Sequence, residues 1–254
     1  MIYDVQKAGM WKRISAYIFD LIILGIVSVG VAFLLSVALQ YDSHTDERNR
    51  LQKEYEDRYQ VSFDITQEEY EALTPEAKQH FDDAYHAFVT DTQVSQKDML
   101  LLNLSLIITS FGILSAYLLL EILIPVWLKN GQTLGKKIFG IAVMRADGVR
   151  LSLFQLLVRT VLGKYTVETM LPIFLLLLLV FNLMPLVSVV GIAMILIIQL
   201  ILLVSTTLRT PIHDMIAGTV TVDLASQMIF ESTEELIEYK KRLHAEQVKE
   251  SPVE

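Results

Sequence analysis

The stretch RISAYIFDLIILGIVSVGVAFLLSVAL, from Arg13 to Leu39, decides the class of protein to which this chain belongs. From Ile14 to Leu39 the only charged residue is Asp20. As a helix rising ~1.5 Å per residue, the stretch would be ~39 Å long, which exceeds the ~30 Å hydrocarbon core of a bilayer. It therefore predicts a membrane-spanning helix. Small residues at 36–38 fit a signal-peptide cleavage site, but the long apolar run and Asp20 favour an uncleaved span.

Asp20 is the unusual residue of this span. An aspartate at the centre of a membrane helix costs ~2.5–3.5 kcal/mol, so it normally faces protein or water and not lipid. Arg13 lies seven residues earlier, which places it on almost the same helix face, ~10 Å away along the axis. Two interpretations remain open. Either Arg13 is an interfacial anchor and Asp20 a structural polar residue, or both belong to a polar site inside a helix bundle.

The composition agrees with the membrane class. Of 254 residues, 53% are hydrophobic, and the mean hydropathy is +0.45. The chain has no cysteine, which excludes disulfides, thiol catalysis, zinc–thiolate sites and iron–sulfur clusters. The pattern divides the chain into residues 1–40 with the first span, an acidic insert at 41–98, a second span at 99–128, a basic loop at 129–167, a third and fourth span at 168–207, and a tail at 208–254.

The insert at 41–98 carries fifteen acidic and six basic residues, and its sparse apolar residues recur at helical spacing. Thr66 to Glu69 has the pattern of a capping box, and Thr74 precedes a proline at a helix start. We expect two or three short helices outside the membrane. Most charged helix faces are simply solvated, so the acidic composition alone does not predict a cation site.

The second span, which begins at Met99, also contains one acid, Glu121. Asp20 and Glu121 lie ~9 Å and ~10 Å from the ends of their spans, and consecutive spans run antiparallel. The two carboxylates should therefore lie at matching depth. Such a pair suits a site that exchanges protons or sodium ions, because two close carboxylates do not both ionise cheaply. The alternative is that they face different neighbours.

The loop that begins at Lys129 is basic, and the positive-inside rule places it in the cytoplasm. Its sequence from Gly131 to Lys136 is one residue short of a nucleotide-binding phosphate loop. Asp147-Gly148 predicts a hairpin between 138–145 and 149–151. We expect residues 152–164 to form an amphipathic helix at the membrane surface. Phosphate or lipid headgroup contacts are predicted for Lys136, Lys137 and Arg159.

The apolar region from Glu168 to Val204 is too long for one span, and Asn182 and Pro185 interrupt it. We expect a third span at about 169–183 and a fourth at about 186–206, with a re-entrant hairpin as the alternative for the short third one. The predicted fold class is all-α, a polytopic membrane protein with four transmembrane helices and a helical extracytoplasmic insert. Both termini are then cytoplasmic.

The pair His213-Asp214 is typical of metal sites and of some catalytic sites. No second cluster of histidine or cysteine accompanies it, so it more simply begins a short helix after Pro211. Asp214 falls outside the predicted spans, and no paired-aspartate protease motif is present. The sequence therefore predicts no enzyme, no cofactor and no metal site.

Three blocks of sequence, MWKRISAYIFD, NGQTLGKKIFGIAVMRADGVRLSLFQLLVRT and PIHDMIAGTVTV, resemble the signature blocks of the RDD family of bacterial membrane proteins. The arginine and two aspartates of the family name match Arg13, Asp20 and Asp214. The resemblance implies transport, with sodium/proton antiport described for some members. The insert at 41–98 and the long tail depart from the family pattern, so their roles cannot be carried over.

The first functional hypothesis is a transporter of a small ion or solute in the cell membrane, with Asp20 and Glu121 as ion-binding carboxylates. Arg13 and Asp214 would form a charge network at the cytoplasmic side. Four spans make a small pathway, which favours a homo-oligomer. Sodium ions or protons and the lipid bilayer are the expected partners, and nucleic acid is not. The alternative is a non-transporting membrane adaptor or assembly factor.

Overall fold

A computed structural model describes residues 3–128, 131–205 and 209–250, with side chains through residue 246. Lys129 of the predicted basic loop and Thr206 of the predicted fourth span lie outside the described residues. The chain divides into two compact units, one formed by 1–28 with 113–254 and the other by 29–112. Each unit is described separately below.

Four described helices are long and apolar enough to cross a bilayer: α1 (Met10–Ala38), α5 (Thr92–Leu128), α7 (Leu153–Val180) and α8 (Pro185–Ser205). Large apolar side chains such as Ile26 and Phe33 point outward along them, as expected for lipid-facing surfaces. The predicted all-α class with four candidate spans is confirmed. The break between the last two spans lies where the sequence predicts it, since Asn182 adopts a left-handed backbone conformation (φ 52°) before α8 begins at Pro185.

Two span boundaries differ from the prediction. Helix α5 begins at Thr92 and not at Met99, because the Asp91 carboxylate accepts hydrogen bonds from the amides of the first turn, 2.6 Å from the nitrogen of Gln93. Helix α7 begins at Leu153, so the segment expected to lie on the membrane surface is its first part. The predicted helix over this segment is present, and its position at the membrane surface stays a prediction. Its basic side chains Arg159 and Lys164 are paired with acids inside the protein, which lowers the cost of placing them near the membrane.

Within the unit at 29–112, three helices form the insert: α2 (Tyr41–Tyr59), α3 (Gln67–Glu71) and α4 (Pro75–Thr90). The capping box at Thr66 is confirmed, and Thr74 caps α4 as predicted. An aromatic cluster packs between the helices, with the Phe63 ring in edge-to-face contact with Phe81. Because these contacts are local in sequence, the insert folds as the pattern indicates.

The other unit contains a short helix α6 (Leu134–Ile138), a two-stranded sheet and the helices α9 (Ile212–Ala217) and α10 (Thr233–Glu250). Strand β1 (Ile141–Arg145) pairs antiparallel with β2 (Thr219–Asp223), with Val143 opposite Thr221. The Asp147-Gly148 turn forms, but the predicted hairpin partner is wrong. The segment after the turn is too short to cover β1, whereas β2 supplies Val220 and Val222 to a shared apolar core with Ala142 and Met144.

Candidate functional site: a buried charge network

Asp214 is the centre of a buried charge network. It lies in α9 with a side chain that is 0% exposed. Arg159 Nε donates a 2.7 Å hydrogen bond to Asp214 Oδ1, and the hydroxyls of Thr219 and Thr221 donate at 2.8 and 3.2 Å. Burial alone would raise the pKa of Asp214, but Arg159 and the other donors hold that pKa well below its ordinary value. The carboxylate is therefore ionised and fixed in place.

Arg159 joins two carboxylates. Its side chain is only 2% exposed, and Nη1 lies 3.3 Å from Glu121 Oε2 in α5. Lys164 Nζ donates to the other oxygen of Glu121. Arg159 is therefore paired inside the protein, and its contact with lipid headgroups stays a prediction. A buried arginine normally pairs with an acid, because an unpaired charge inside the protein costs several kcal/mol.

The local helix geometry explains why Arg159 and Lys164 reach the same acid. From Val158 to Met170, α7 has the i→i+5 hydrogen bonds of a π-helix. Residues five apart then lie close to one line along the helix, whereas in an α-helix they diverge. A second π-helical segment, Leu119–Leu123, carries Glu121 itself. Glu121 and its two basic partners, Arg159 and Lys164, therefore all lie in π-helical turns.

Gly163 allows α9 to approach α7. A side chain built at Gly163 would place its Cβ 2.6 Å from the Cβ of His213, which is too close for any real contact. His213 Nδ1 lies 2.8 Å from a carboxylate oxygen of Glu168, and its main-chain N–H also donates to Glu168. Burial lowers the pKa of His213, opposed by the nearby Asp214. In the described part of the chain no group of three histidine or acidic side chains is arranged to hold a metal ion.

Asp20 has a different set of partners. Thr133 Oγ1 donates to Asp20 Oδ2 at 2.5 Å, and the Gly135 main-chain N–H donates to Oδ1 at 2.7 Å. A Cβ at position 135 would lie 2.9 Å from the same oxygen, so only glycine fits this approach. The segment that resembles a phosphate loop therefore binds the protein's own carboxylate. The nearest cation is Lys136, whose Nζ lies 3.9 Å from Oδ2.

Lys136 and Lys137 are neighbours with opposite environments. Lys136 is 8% exposed, and its Nζ donates to Thr133 Oγ1 at 3.2 Å. Burial lowers the pKa of Lys136 to about 8, with Glu121 opposing that shift and Lys164 and Arg159 adding to it. Lys137 is exposed. Of the three predicted headgroup ligands, only Lys137 lies on the surface.

Two cavities adjoin the network. The smaller one lies between Asp20 and Glu121, with Tyr17, Tyr117 and Lys164 among its walls. The larger one has a volume of about 420 Å³. It is lined by Met10, Arg13, Ile14, Ala16, Tyr17, Asp20, Lys136, Ile141, Arg159, Lys164, Gln199, Leu203, Arg209, Pro211, His213, Asp214 and Thr221. Asp20 lines both cavities.

The structure brings the predicted residues into one region but pairs them differently. Asp20 and Glu121 face the same small cavity, yet they do not share a partner within hydrogen-bond distance among the described residues. Arg13 Nη2 lies 4.0 Å from Asp214, and its Nη1 donates to the main-chain oxygen of Arg209 at 2.8 Å. The closer partner of Asp214 is Arg159.

The sequence analysis did not identify Lys164, Glu168 and Thr133 as members of this site. One signal was available for Lys164. Together with Arg159 it provides two positive charges beside a long apolar region, and Glu121 in the second span had no assigned counter-charge. No comparable signal marks Thr133 or Glu168, because a threonine or a single acid near a span is common in membrane proteins.

A comparison with protein families identifies the chain. The model of the RDD family matches residues 7–218, which is most of the chain and includes the charged residues of the network from Arg13 to Asp214. Comparison with curated proteins and with solved structures gives no match. Together with the four membrane-length helices, the family match shows that this chain belongs to the RDD family of membrane proteins.

Proposed function

We propose that this protein transports a small ion or solute across the cell membrane and that Asp20 is the carboxylate that exchanges its counter-ion. The observation that supports this role is the difference between the carboxylates of the network. Asp214 and Glu121 are each held by a buried arginine or lysine in direct contact. Asp20 is held by a hydroxyl and an amide, with its nearest cation at 3.9 Å, and it faces two cavities.

Lys136 is the group that couples ion binding at Asp20 to the release of a proton. A buried amine with a pKa of about 8 changes charge close to physiological pH. While Lys136 is protonated, its charge offsets that of Asp20 and disfavours a cation there. Once Lys136 has released its proton, the Asp20 carboxylate attracts a sodium ion, and Lys136 takes up a proton again when the sodium ion leaves. This alternation is the basis of the sodium/proton antiport that we propose as the specific activity.

The proposal includes an arrangement in the membrane. The protein is multi-pass, with both termini in the cytoplasm, and a homo-oligomer forms around the small pathway. A cysteine at Ser62 should then react with an impermeant thiol reagent added to intact cells, and a cysteine at Ala146 should not, because the basic loop faces the cytoplasm. Labelling at Ala146 with protection at Ser62 would reverse the orientation.

The decisive experiment is transport in proteoliposomes. Sodium-dependent proton flux should be abolished by Asp20→Asn, because the amide carries no charge to attract a cation. Folding should survive, since the amide oxygen of asparagine still accepts one of the two hydrogen bonds. Asp147→Asn is the matched control, because Asp147 lies on an exposed turn and pairs with Arg145. Equal flux from both variants would refute the role of Asp20, and no flux from the wild type would refute the transport proposal.

A membrane adaptor or assembly factor is the second candidate. The pairs that Arg159 and Lys164 form with Asp214 and Glu121 support it, because matched buried charges also serve to lock helices in one arrangement. This function predicts a stable partner that co-purifies with the wild type. It also predicts that Asp20→Asn retains both the partner and the biological activity. Neither candidate function is enzymatic.

A further inference from the structure

The larger cavity is lined by two chemically different sets of side chains. The apolar lining consists of Met10, Ile14, Ala16, Ile141, Leu203 and Pro211. The charged lining consists of five basic side chains and the carboxylates of Asp20 and Asp214. The apolar side chains contribute nothing to binding a small ion, so this lining can hold a larger molecule as well. It matches a molecule that has an anionic group and a hydrocarbon chain.

Three of the basic side chains are not used by the closest ion pairs. Arg159 and Lys164 are in direct contact with Asp214 and Glu121. In contrast, Arg13 and Lys136 lie 4.0 and 3.9 Å from their nearest carboxylates, at the outer limit of an ion pair. Arg209 adds a third positive charge at the exposed edge of the cavity. The cavity therefore presents an excess of positive charge.

Lys136 is the strongest indication of a ligand. It is more than nine-tenths buried and lines the cavity, and an ammonium group can donate three hydrogen bonds. The described residues accept one, through Thr133 Oγ1 at 3.2 Å. A buried ammonium group normally has more acceptors than this, because its desolvation is costly. A phosphate oxygen within the cavity would supply the missing acceptor.

The position along the spans also indicates a lipid. The cavity lies where α1 begins, at Met10, and where α8 ends, at Ser205. The ends of membrane-spanning helices lie at the depth of phospholipid headgroups. On α8, which supplies Leu203 to the cavity, large apolar side chains such as Leu200 and Val204 are exposed, as expected for a lipid-facing surface.

We propose that this cavity is a binding site for one anionic phospholipid, with the phosphate near Arg13, Lys136 and Arg209 and an acyl chain along Ile14 and Leu203. The excess of positive charge favours an anionic headgroup over a zwitterionic one. The apolar lining favours a lipid over free phosphate. Lipid binding is measured without ion flux, so its test can succeed or fail whatever the outcome of the transport experiment.

The test is lipid binding to the purified full-length protein in detergent, measured by native mass spectrometry during titration with phosphatidylglycerol. One basic side chain contributes about 1 kcal/mol to binding an anionic lipid, which corresponds to about fivefold in affinity. Arg209→Gln should therefore weaken binding about fivefold. Lys137→Gln is the matched control, because Lys137 is also exposed and basic but does not line the cavity. The Lys137→Gln variant should bind phosphatidylglycerol with the same affinity as the wild type.

Further measurements separate the lipid from other ligands. Phosphatidylcholine should bind more weakly than phosphatidylglycerol, and Leu203→Glu should weaken phosphatidylglycerol binding by interrupting the apolar lining. Lys136→Gln should act like Arg209→Gln. If it fails to fold, the Arg209 variant still decides the question. Equal losses in the Lys137 and Arg209 variants would overturn the proposal in favour of general surface attraction. Full displacement of the lipid by inorganic phosphate would overturn it in favour of a free anion site.

Discussion

Replacing Arg159 with methionine tests whether the charge network holds the helices together. Methionine has a similar length and no charge, so the variant removes the ion pairs and leaves much of the packing. Asp214 and Glu121, which are 0% and 4% exposed, would stay buried without their closest shared cation. Lys164 would remain beside Glu121, and His213 and Arg13 would remain 3.7 and 4.0 Å from Asp214. Removing one partner of a buried pair typically costs about 3–5 kcal/mol.

In a domain of this size, that loss corresponds to a decrease in Tm of roughly 10 °C, at about 2–4 °C per kcal/mol. The assay is thermal unfolding in detergent at one fixed scan rate. Arg145→Met is the matched control, because Arg145 also forms a 2.6 Å ion pair, with Asp147, but both side chains are at least one-third exposed. An exposed pair contributes about 0–1 kcal/mol, so the control should change Tm little.

The double variant Arg159→Met/Asp214→Leu sharpens this test. It removes both charges of the closest pair, and replacement of a whole buried ion pair by apolar residues is often neutral or stabilising. It should therefore be more stable than Arg159→Met alone. The reasoning would be refuted if Arg159→Met lost no more stability than Arg145→Met, since the network would then not be a source of stability.

Two further predictions concern Lys136 and Gly163. The pKa of Lys136 is about 8 in the folded protein against 10.5 for a free lysine, so the unfolded state binds more protons between these pH values. The stability of the wild type should therefore rise with pH from 8 to 10.5 by up to about 3 kcal/mol, and Lys136→Met should lose this rise in melts across that range. Gly163→Ala should cost about 1–3 kcal/mol in thermal melts, because its Cβ would meet His213 at 2.6 Å. Gly25→Ala should cost nothing, because no atom lies within 4 Å of its Cβ; an equal loss in both variants would contradict the close-packing argument.

Local pattern was sufficient to predict the four candidate spans and the helix starts of the insert. A long apolar run can span a membrane without help from neighbouring segments, because a helix forms its backbone hydrogen bonds within itself. The helix starts at Thr66 and Thr74 depend on hydrogen bonds that span three residues. The break near Asn182 and Pro185 depends only on backbone chemistry. Interactions within a few residues are present in the sequence, so they can be predicted.

Where the structure departs from the local sequence pattern, the deciding partner is distant in the chain. Arg159 appeared to be a surface residue because its acids, Glu121 and Asp214, lie 38 and 55 residues away. Strand β1 appeared to have its partner across the nearest turn, whereas β2 carries the complementary apolar side chains. The two costs are the burial of the Arg159 charge and the exposure of the apolar side chains of β1. In both cases a segment far away in the sequence compensates the cost, and only the fold brings that segment close.

The sequence by itself determined the membrane class, the four candidate spans and the charged residues that gather at one site, including Arg13, Asp20, Glu121 and Asp214. Only the tertiary structure decided which of them pair. Matching depth gave Asp20 and Glu121 the same height along their helices, but height does not specify the direction in which a side chain points. That direction depends on the rotation of each helix about its axis, which is set by packing. The result is that Asp20 contacts Thr133 and Gly135, and Glu121 contacts the basic side chains of α7.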